Sequence, residues 1–193
     1  PSDGGPVAVP SQDMVLGIYY LTQERPGVKG EGKFFKNLNE AILAYENGVI
    51  TLHSRIKVRV EKTFNGELKS AIVESTLGRF LFNEIIPQDL GFVDRSIPGN
   101  ELLLEVDFLV GKKQNKQILQ KVINTHGATV TAEVLDKIKA TGYKYSTRAA
   151  MTVSISEMTV PPQKPEMIQQ AQDTVDKITK NFKRGLITEE ERY

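Results

Sequence analysis

The segment Arg55–Lys62 constrains the fold of this chain most strongly, because its apolar and charged residues alternate one by one. Strict alternation predicts a strand with one buried and one exposed face. Asn65 and Gly66 follow directly, and Asn-Gly is the dipeptide favoured in a tight type I′ turn. We therefore predict an antiparallel hairpin whose second strand runs over about Glu67–Ser75. One face should pack on a core, and the other should be basic. The inward residues of the first strand are Ile56, Val58 and Val60.

Helical patterns surround the predicted hairpin. Ser11-Gln12-Asp13 can cap a short helix, and Asn37 and Glu40 have the spacing of a capping box. Glycines are interpreted as stops, so Gly127 and Gly142 each end a helix. The predicted helices beyond the first are Asn37–Asn47, Leu77–Ile86, Gln114–Thr125 and Thr129–Thr141. Met151, Val153 and Ile155 alternate and are predicted to form a short strand.

The C-terminal part carries an apolar seam. Five apolar residues recur at spacings of 3, 4, 3 and 4, which is the pattern of a helix that packs along a second helix. They are Ile168, Ala171, Val175, Ile178 and Phe182. Thr188 and Glu191 form a second capping box, which begins a further helix. We expect one long helix over Lys164–Phe182 and interpret the chain as a piece of a longer protein.

These elements predict an α+β fold. The expected architecture is a small mixed body with an antiparallel hairpin and several short helices, followed by a protruding C-terminal helix that belongs to a truncated coiled-coil hairpin. A proline-rich break near Val160 divides the chain into a first domain, 1–160, and a second, 161–193.

Composition excludes several classes of protein and site. The chain has 25 Lys+Arg against 24 Asp+Glu and is 39% hydrophobic, as expected for a soluble globular protein. Zero Cys excludes disulfides and thiolate sites, and two His leave little material for a metal cluster. No signal peptide is recognised, and no apolar run approaches the roughly 18 residues of a membrane span. We expect a cytoplasmic protein with no membrane partner.

Four features are candidates for chemistry, and each has a simpler structural interpretation. The loop Arg25–Gly32 could cradle a phosphate, but its glycines lack the spacing of a P-loop, so a flexible loop is preferred. His53 and His126 lack a nucleophile at any recognisable spacing. Glu133 and Asp136 share a helix face but lie opposite apolar residues, as on a solvated surface.

Basic residues are concentrated in one stretch. Eight Lys or Arg lie between Lys112 and Arg148, against two acids, while the stretch Glu84–Asp107 has six acids and one Arg. Such a basic stretch could follow phosphates, although only Tyr143 and Tyr145 are available for stacking. On this evidence alone, nucleic-acid contact remains the weaker interpretation.

A set of ordered motifs resembles one family across essentially the whole chain. The segment Gly5–Gly17, with the sequence GPVAVPSQDMVLG, is similar to the largest (beta-prime) subunit of bacterial DNA-directed RNA polymerase. Further matching motifs follow in the same order: Lys29–Gly32, Leu52–Arg59, Thr76–Arg79, Leu135–Ile138, Gly142–Arg148 and Arg184–Thr188. The number and order of these matches make the resemblance far more specific than any single motif.

The resemblance implies a non-catalytic part of a nucleotidyltransferase. The family carries its catalytic magnesium on an Asn-Ala-Asp-Phe-Asp-Gly-Asp motif, which is absent from these residues. The chain is thus expected to cover the pore or funnel region of the secondary channel and the first rim helix at its mouth. It would hold no cofactor or metal itself and would be inactive in isolation. The implied partners are the other polymerase subunits, DNA and RNA through the intact enzyme, nucleoside triphosphates in the channel, and regulators of the cleavage-factor type.

The resemblance also nominates site residues. Ser11, Gln12 and Asp13 match the family segment nearest the active centre and are the expected channel-lining groups. Lys183, Arg184 and Glu189 flank the tip of the rim hairpin and are expected to contact regulators. No catalytic or metal-binding residue is assigned. Some relatives bind a regulatory nucleotide near Thr129–Thr141, but only Asp136 matches that set, so the site is not carried over.

One alternative of a different class stays open at this stage. A free-standing interaction module could use the seam Ile168–Phe182 to bind a protein partner. The parent open reading frame would separate the two hypotheses, because only a polymerase subunit has the magnesium motif and a second rim helix beside these residues.

Overall fold

Helices and one small sheet form the part of the chain that the structure, a computed structural model, describes: residues 12–158 and 164–185, with side chains for 12–151 and 168–185. The elements in order are α1 (Gln12–Thr22), β1 (Phe34–Phe35), α2 (Leu38–Glu46), β2 (Arg55–Phe64), β3 (Glu67–Thr76), α3 (Leu77–Asn83), α4 (Lys112–Met158) and α5 (Lys164–Lys183). The predicted α+β class is confirmed.

The predicted hairpin is present with the predicted turn. β2 and β3 pair antiparallel from Arg55 opposite Thr76 to Phe64 opposite Glu67. Asn65 and Gly66 have φ angles of 51° and 78°, which is the left-handed backbone that a type I′ turn needs at both central positions. Alternation along β2 therefore places its apolar residues on one face, as the sequence indicates.

The sheet also contains a strand that the sequence did not predict. β1 pairs in parallel with Lys57 and Val58 of β2, so the strand order is β1-β2-β3. A strand of two residues is too short to show a period of two. β1 is defined by its position beside β2 rather than by its own sequence pattern.

Local capping explains the short helices. The Asn37 side chain accepts a hydrogen bond from the Glu40 N–H at 2.9 Å, and the Glu40 carboxylate accepts one from the Lys36 N–H at 3.0 Å. The predicted box thus starts α2, and Gly48 follows its end with a φ of 73°. Thr76 caps α3 by accepting from the Arg79 N–H at 3.2 Å. α3 ends at Asn83, earlier than the predicted Ile86.

α4 corrects two predictions. A helix does end near Gly127, whose φ of 82° and ψ of −176° break the helical path. Gly142, however, does not stop the second part, which continues in helical conformation to Met158. The predicted strand at Met151–Ile155 is therefore wrong, and these residues are helical. Three alternating apolar residues do not distinguish a strand from a helix, because Met151 and Ile155 are also four apart on one helical face.

Between α3 and α4 the chain has no helix or strand but is held by buried side chains. Arg95 donates to four backbone carbonyls and lies 3.4 Å from the carboxylate of Glu105, which is almost fully buried. The acidic stretch is thereby folded around its single guanidinium. The accepting carbonyls are those of Gln88, Asn100, Glu101 and Leu103.

One hydrophobic core joins the sheet to α1, α3 and α4, on both sides of the break at Gly127. Its fully buried members include Ile18, Leu21, Ile56, Leu77, Phe82, Val106, Ile118 and Ile138. The contacts divide the chain into two units, Pro1–Ala150 and Met151–Tyr193. The predicted boundary at Val160 lies outside the described residues. Among the described helices, none is both long and apolar enough to cross a membrane.

Candidate functional site

α1 carries two of the predicted channel-lining residues at its first turn. Gln12 and Asp13 are the first two residues of the helix and are both exposed, while Ser11 lies outside the described residues. A carboxylate in the first turn is favoured by the partial positive charge of the helix N-terminus. The structure thus presents the side chains of Gln12 and Asp13 to solvent on an ordered helix.

Close glycine contacts fix the position of α1. A Cβ atom placed on Gly17 would lie 1.7 Å from the carbonyl oxygen of Gly142, and one placed on Gly78 would lie 1.8 Å from the carbonyl oxygen of Leu21. Both distances are far below any real contact, so α1 packs backbone to backbone against α4 on one side and α3 on the other. Only glycine permits such an approach. Of these three glycines, Gly142 was predicted from the sequence to end a helix.

A buried arginine holds the C-terminal end of α1. The Arg79 side chain is 7% exposed and donates through Nε to the carbonyl oxygen of Thr22 at 2.9 Å. Its Nη1 lies 3.2 Å from Asp107 Oδ1 and 3.5 Å from Glu24 Oε2. A buried guanidinium needs acceptors of this kind, because an unpaired buried charge is costly. The resemblance motif Thr76–Arg79 is the sequence signal that marks this position.

Thr22, at the end of α1, makes two further hydrogen bonds that hold this helix in place. The Thr22 hydroxyl donates to the Ile18 carbonyl at 2.8 Å and accepts from the Val110 N–H at 3.0 Å. The second bond joins α1 to the residues just before α4, across 88 positions of the sequence. α1 is therefore tied at its middle by glycine contacts and at its end by Arg79 and Thr22.

Asp107 links Arg79 to the sheet. Its carboxylate accepts from the Ser75 hydroxyl at 2.6 Å and from Arg55 Nη2 at 3.2 Å. Partial burial disfavours the charged form of Arg55, but the hydrogen bond to Asp107 and the charges of Asp107, Glu24 and Glu74 outweigh it and raise the pKa of Arg55. Two arginines and three acids thus form one ion-pair network between α1, α3 and the hairpin.

The exposed face of the hairpin is mixed rather than basic, which corrects the prediction. Arg59 pairs with Glu61 at 3.1 Å, and Arg55 is engaged by three carboxylates. Leu68 and Ile72, on the same side of β3, are 72% and 62% exposed. The basic residues belong to β2, whereas this face also contains residues of β3. A continuous phosphate-following stripe is not formed here.

The basic stretch Lys112–Arg148 is divided by the break in α4. Lys112, Lys113 and Lys116 are exposed before Gly127, whereas Lys137, Lys144 and Arg148 are exposed after it. Some of these cations lie over aromatic rings, as Lys121 does over Phe92 at 4.9 Å. The stretch is therefore basic and largely solvent-facing, but it does not follow one uninterrupted helix.

The phosphate-loop interpretation of Arg25–Gly32 finds no support in the geometry. Gly27, Gly30 and Gly32 all have positive φ angles, as in a loop of tight turns. The Gly27 N–H, however, donates to the Glu31 carboxylate, and the Gly32 N–H donates to the Arg55 carbonyl at 2.8 Å. Two of the three glycine amides of this loop are therefore occupied, one of them by an acid.

The two histidines hold structural positions. His53 is 4% exposed, its Nδ1 lies 2.9 Å from the Gln23 carbonyl oxygen, and its ring meets Tyr20 edge-on at 4.7 Å. Burial, assisted by the charge of Arg25, lowers the pKa of His53 despite the backbone hydrogen bond to Gln23. His126 Nε2 lies 2.6 Å from Asp89 Oδ1. In the described part of the chain, neither ring bonds a hydroxyl group.

Paired carboxylates do not form a metal site. Glu133 and Asp136 are both exposed on α4. Among the described residues, no group of three or more His, Asp or Glu side chains could hold a metal ion.

The predicted long C-terminal helix is confirmed as α5, Lys164–Lys183. Ile168 and Val175 of its apolar seam are 58% and 55% exposed. Lys183 and Arg184 are exposed where the helix ends, and Gly185 follows with a φ of 71°. Glu189 and the capping box of the next predicted helix lie outside the described residues.

Comparison with known proteins gives a consistent match. The family model described as RNA polymerase Rpb1, domain 3, matches residues 1–158. The chain is 69% identical over 194 residues to the DNA-directed RNA polymerase subunit beta′ of Lachnoclostridium phytofermentans, and the match covers 100% of the chain and 16% of the relative. It is 58% identical to the beta′ subunits of Clostridium acetobutylicum and Acetivibrio thermocellus, again over 100% of the chain and 16% and 17% of those subunits. The chain thus spans about a sixth of the length of these relatives.

Proposed function

We propose a role within a multisubunit enzyme, because the chain belongs to the RNA polymerase Rpb1 domain 3 family and, within it, to the beta′ subunits of bacterial DNA-directed RNA polymerase. In this proposal it takes part in DNA-templated RNA synthesis without supplying the catalytic residues. The body lines the secondary channel through which nucleoside triphosphates enter, and α5 is the first rim helix, which regulators contact. The location of such an enzyme is the cytoplasm.

The observation that carries the channel role is the anchoring of α1. Its glycine contacts and the Arg79 bond to Thr22 leave little freedom to the helix, while Gln12 and Asp13 remain exposed at its other end. Rigid presentation of a polar group is what a substrate path requires, because a side chain that must be ordered on binding costs affinity. Exposed lysines on α4 would also raise the local concentration of anionic nucleotides.

Magnesium is assigned to residues outside this chain. The family's aspartate motif is absent from the 193 residues, and the described residues contain no cluster that could replace it. In the intact enzyme the metal would supply charge stabilisation of phosphoryl transfer. The contribution of this chain is to position and admit substrates. Purified alone, it should incorporate no nucleotide on a primed template, and incorporation above background would contradict this part of the proposal.

The rim-helix role is supported by the exposed seam of α5. Ile168 and Val175 each leave more than half of their surface in solvent, and apolar residues at this spacing are typical of a helix with a helical partner. The proposed partner is the helix that the sequence predicts to begin at the capping box Thr188–Glu191. Membership of the beta′ family therefore favours the rim helix over the free-standing interaction module.

The channel role is tested by substitution in the assembled polymerase. Gln12→Ala in the full-length subunit should raise the KM for nucleoside triphosphates by about threefold or more, because a group on the entry path is lost. Gln117→Ala makes the same chemical change at an exposed position of α4 and should leave KM unchanged. A Gln12→Ala enzyme with the KM and kcat of the parent would contradict the assignment.

A further inference from the structure

β2 has an edge without a partner strand over most of its length in the described residues. β1 covers only Lys57 and Val58, whereas β2 continues to Phe64. On this edge the Lys57 N–H donates to the Lys33 carbonyl at 2.9 Å, and the Arg55 carbonyl accepts from Gly32 at 2.8 Å. The covered part of the edge is therefore short and lies at the start of the strand.

The alternation of backbone directions along β2 identifies which N–H and C=O groups face the uncovered edge. Because successive residues of a strand point their N–H and C=O groups to opposite edges, Arg59, Glu61 and Thr63 share the edge used by Lys57. β1 ends at Phe35, and the next residue, Lys36, donates its N–H to the Glu40 side chain instead. The amides of Glu61 and Thr63 thus face outward, and within residues 12–158 and 164–185 no strand lies beside them.

A cleft lies along this open edge. Its volume is about 460 Å³, and it is bounded by the residues that join β1 to α2 on one side and by residues 58–62 of β2 on the other. Leu38, Phe80 and Leu104 supply apolar lining, and the last two are more than nine-tenths buried. An apolar lining beside unpaired strand amides is the arrangement in which proteins receive an added strand.

Charge at the cleft indicates the chemistry of the occupant. Lys36 and Lys62 line it, and in the described residues neither has a carboxylate within ion-pair distance. Arg59 is already paired with Glu61, and Glu84 adds one acid to the lining. A strand that places an apolar side chain towards Phe80 and a carboxylate towards Lys36 or Lys62 would complement this lining.

We propose that this cleft receives an extended strand of the same beta′ subunit, from outside the 193 residues, which pairs with the open edge of β2 at Glu61 and Thr63. The chain spans about 16% of the length of its relatives, so in a subunit of that length most of the polypeptide would be tethered to it. A tethered segment has a high effective concentration and can pair through an interface too small for a free partner. The proposal rests on family membership and not on the channel role.

Hydrogen exchange in the assembled polymerase tests the added strand. Amides bonded within a sheet exchange slowly, and open edge amides exchange readily. Resolved to single amides, Glu61 and Thr63 should exchange at least about 100-fold more slowly than unstructured amides. Weaker protection at both positions overturns the proposal. Because this measurement needs no substitution in β2, misfolding cannot produce the result.

Photo-crosslinking identifies the occupant. Asn39, an exposed residue lining the cleft, is replaced in the full-length subunit by p-benzoylphenylalanine, and crosslinked peptides from the assembled enzyme are sequenced. Peptides of the beta′ subunit from outside these residues support the proposal. Peptides of another subunit, or no crosslink above that of an unsubstituted enzyme, overturn it.

A matched pair of proline substitutions tests whether pairing at β2 holds the strand. Glu61 and Ser70 lie directly opposite each other, and both turn their amides away from the hairpin, Glu61 to the cleft edge and Ser70 to the opposite edge. Each also contacts Arg59.

Glu61→Pro should reduce the crosslink from position 39 at least about fivefold, because proline cannot donate to an added strand. Ser70→Pro should leave it unchanged. Equal losses, or no loss with Glu61→Pro, overturn the proposal. A normal KM for nucleotides in Gln12→Ala would refute the channel role and leave these outcomes unaffected.

Discussion

Gly17 of α1 and Gly142 of α4 meet backbone to backbone: a Cβ on Gly17 would lie 1.7 Å from the Gly142 carbonyl oxygen, and a Cβ on Gly142 would lie 2.4 Å from the Met14 carbonyl oxygen. The two helices can cross this closely only because both positions lack a side chain. The contact fixes the position of α1 and thereby of its first turn, which carries Gln12 and Asp13.

Gly142→Ala should therefore destabilise the chain by at least about 2 kcal/mol, because the added methyl group forces two backbones apart. Urea unfolding followed by circular dichroism measures the loss. Gly111→Ala is the matched control, since its Cβ would meet only the flexible Gln114 side chain at 3.2 Å. The expected loss there is under about 0.5 kcal/mol. Equal effects of the two substitutions would contradict a tight crossing.

Arg79→Ala should cost about 3–5 kcal/mol of unfolding free energy, because Asp107 and the Thr22 carbonyl lose a buried partner. Arg79→Lys should recover only part of this loss, since an ammonium group cannot reach both acceptors as a planar guanidinium does.

The control for Arg79 is Arg59→Ala. Arg59 pairs with Glu61 in solvent, with both side chains more than half exposed, so its removal should cost less than about 1 kcal/mol. The comparison uses the same unfolding measurement. A loss at Arg79 no larger than the loss at Arg59 would show that the buried network does not hold α1.

His53 makes stability depend on pH below about 6.5, the ordinary pKa of histidine. Burial lowers its pKa in the folded chain, so in this range the unfolded chain binds more protons than the folded chain. Stability is thus fully present above pH 6.5 and falls as the pH drops towards the folded pKa, by at most about 1.4 kcal/mol per pH unit.

Unfolding free energies measured from pH 7.5 to pH 5 test the histidine effect. His53→Gln keeps a polar side chain without a titrating group. It should flatten the slope of unfolding free energy against pH between pH 6.5 and 5. The unsubstituted chain, measured over the same pH range, provides the reference slope. An unchanged slope in His53→Gln would assign the pH dependence elsewhere.

The rim-tip assignment predicts a position-specific effect on α5. Lys183→Glu in the assembled polymerase should weaken binding of a cleavage-factor-type regulator about tenfold, because a charge at the proposed contact is reversed. Lys177→Glu makes the same change two turns earlier on an exposed part of the helix and should have little effect. Binding is measured by fluorescence anisotropy at fixed salt. Equal losses at both positions would indicate a general charge effect instead of a tip contact.

Local patterns in the sequence predicted the elements that are decided locally. The alternation from Arg55 to Lys62 and the Asn65-Gly66 turn specify the hairpin, since side-chain period and turn geometry depend only on neighbouring residues. Asn37 and Glu40 likewise specify the start of α2, and the seam from Ile168 to Phe182 specifies the extent of α5. The order of motifs was sufficient to recognise the family.

The glycines and the site show what local patterns do not contain. Gly127 and Gly142 look alike in the sequence, yet Gly127 breaks a helix with a φ of 82° and Gly142 lies within one. Their surroundings differ as well, because the backbone of α1 lies beside Gly142, whereas a Cβ on Gly127 would meet nothing within 4 Å. The strand β1 and the mixed exposed face of the hairpin also depend on residues distant in sequence.

By itself, then, the sequence determined the hairpin, the cap of α2, the apolar seam of α5 and membership of the beta′ family, because each depends on the spacing of nearby side chains or on their order along the chain. Only the tertiary structure decided that Arg79 binds the end of α1, that Glu31 occupies the amide of Gly27, and that the edge of β2 lies open beside a cleft. The Arg79–Thr22 and Gly27–Glu31 bonds join residues 57 and 4 positions apart, and the cleft brings together Lys36 and Leu104, which are 68 positions apart. Which of them meet depends on how the chain folds back on itself, since a buried charge or an open edge is defined by everything packed around it.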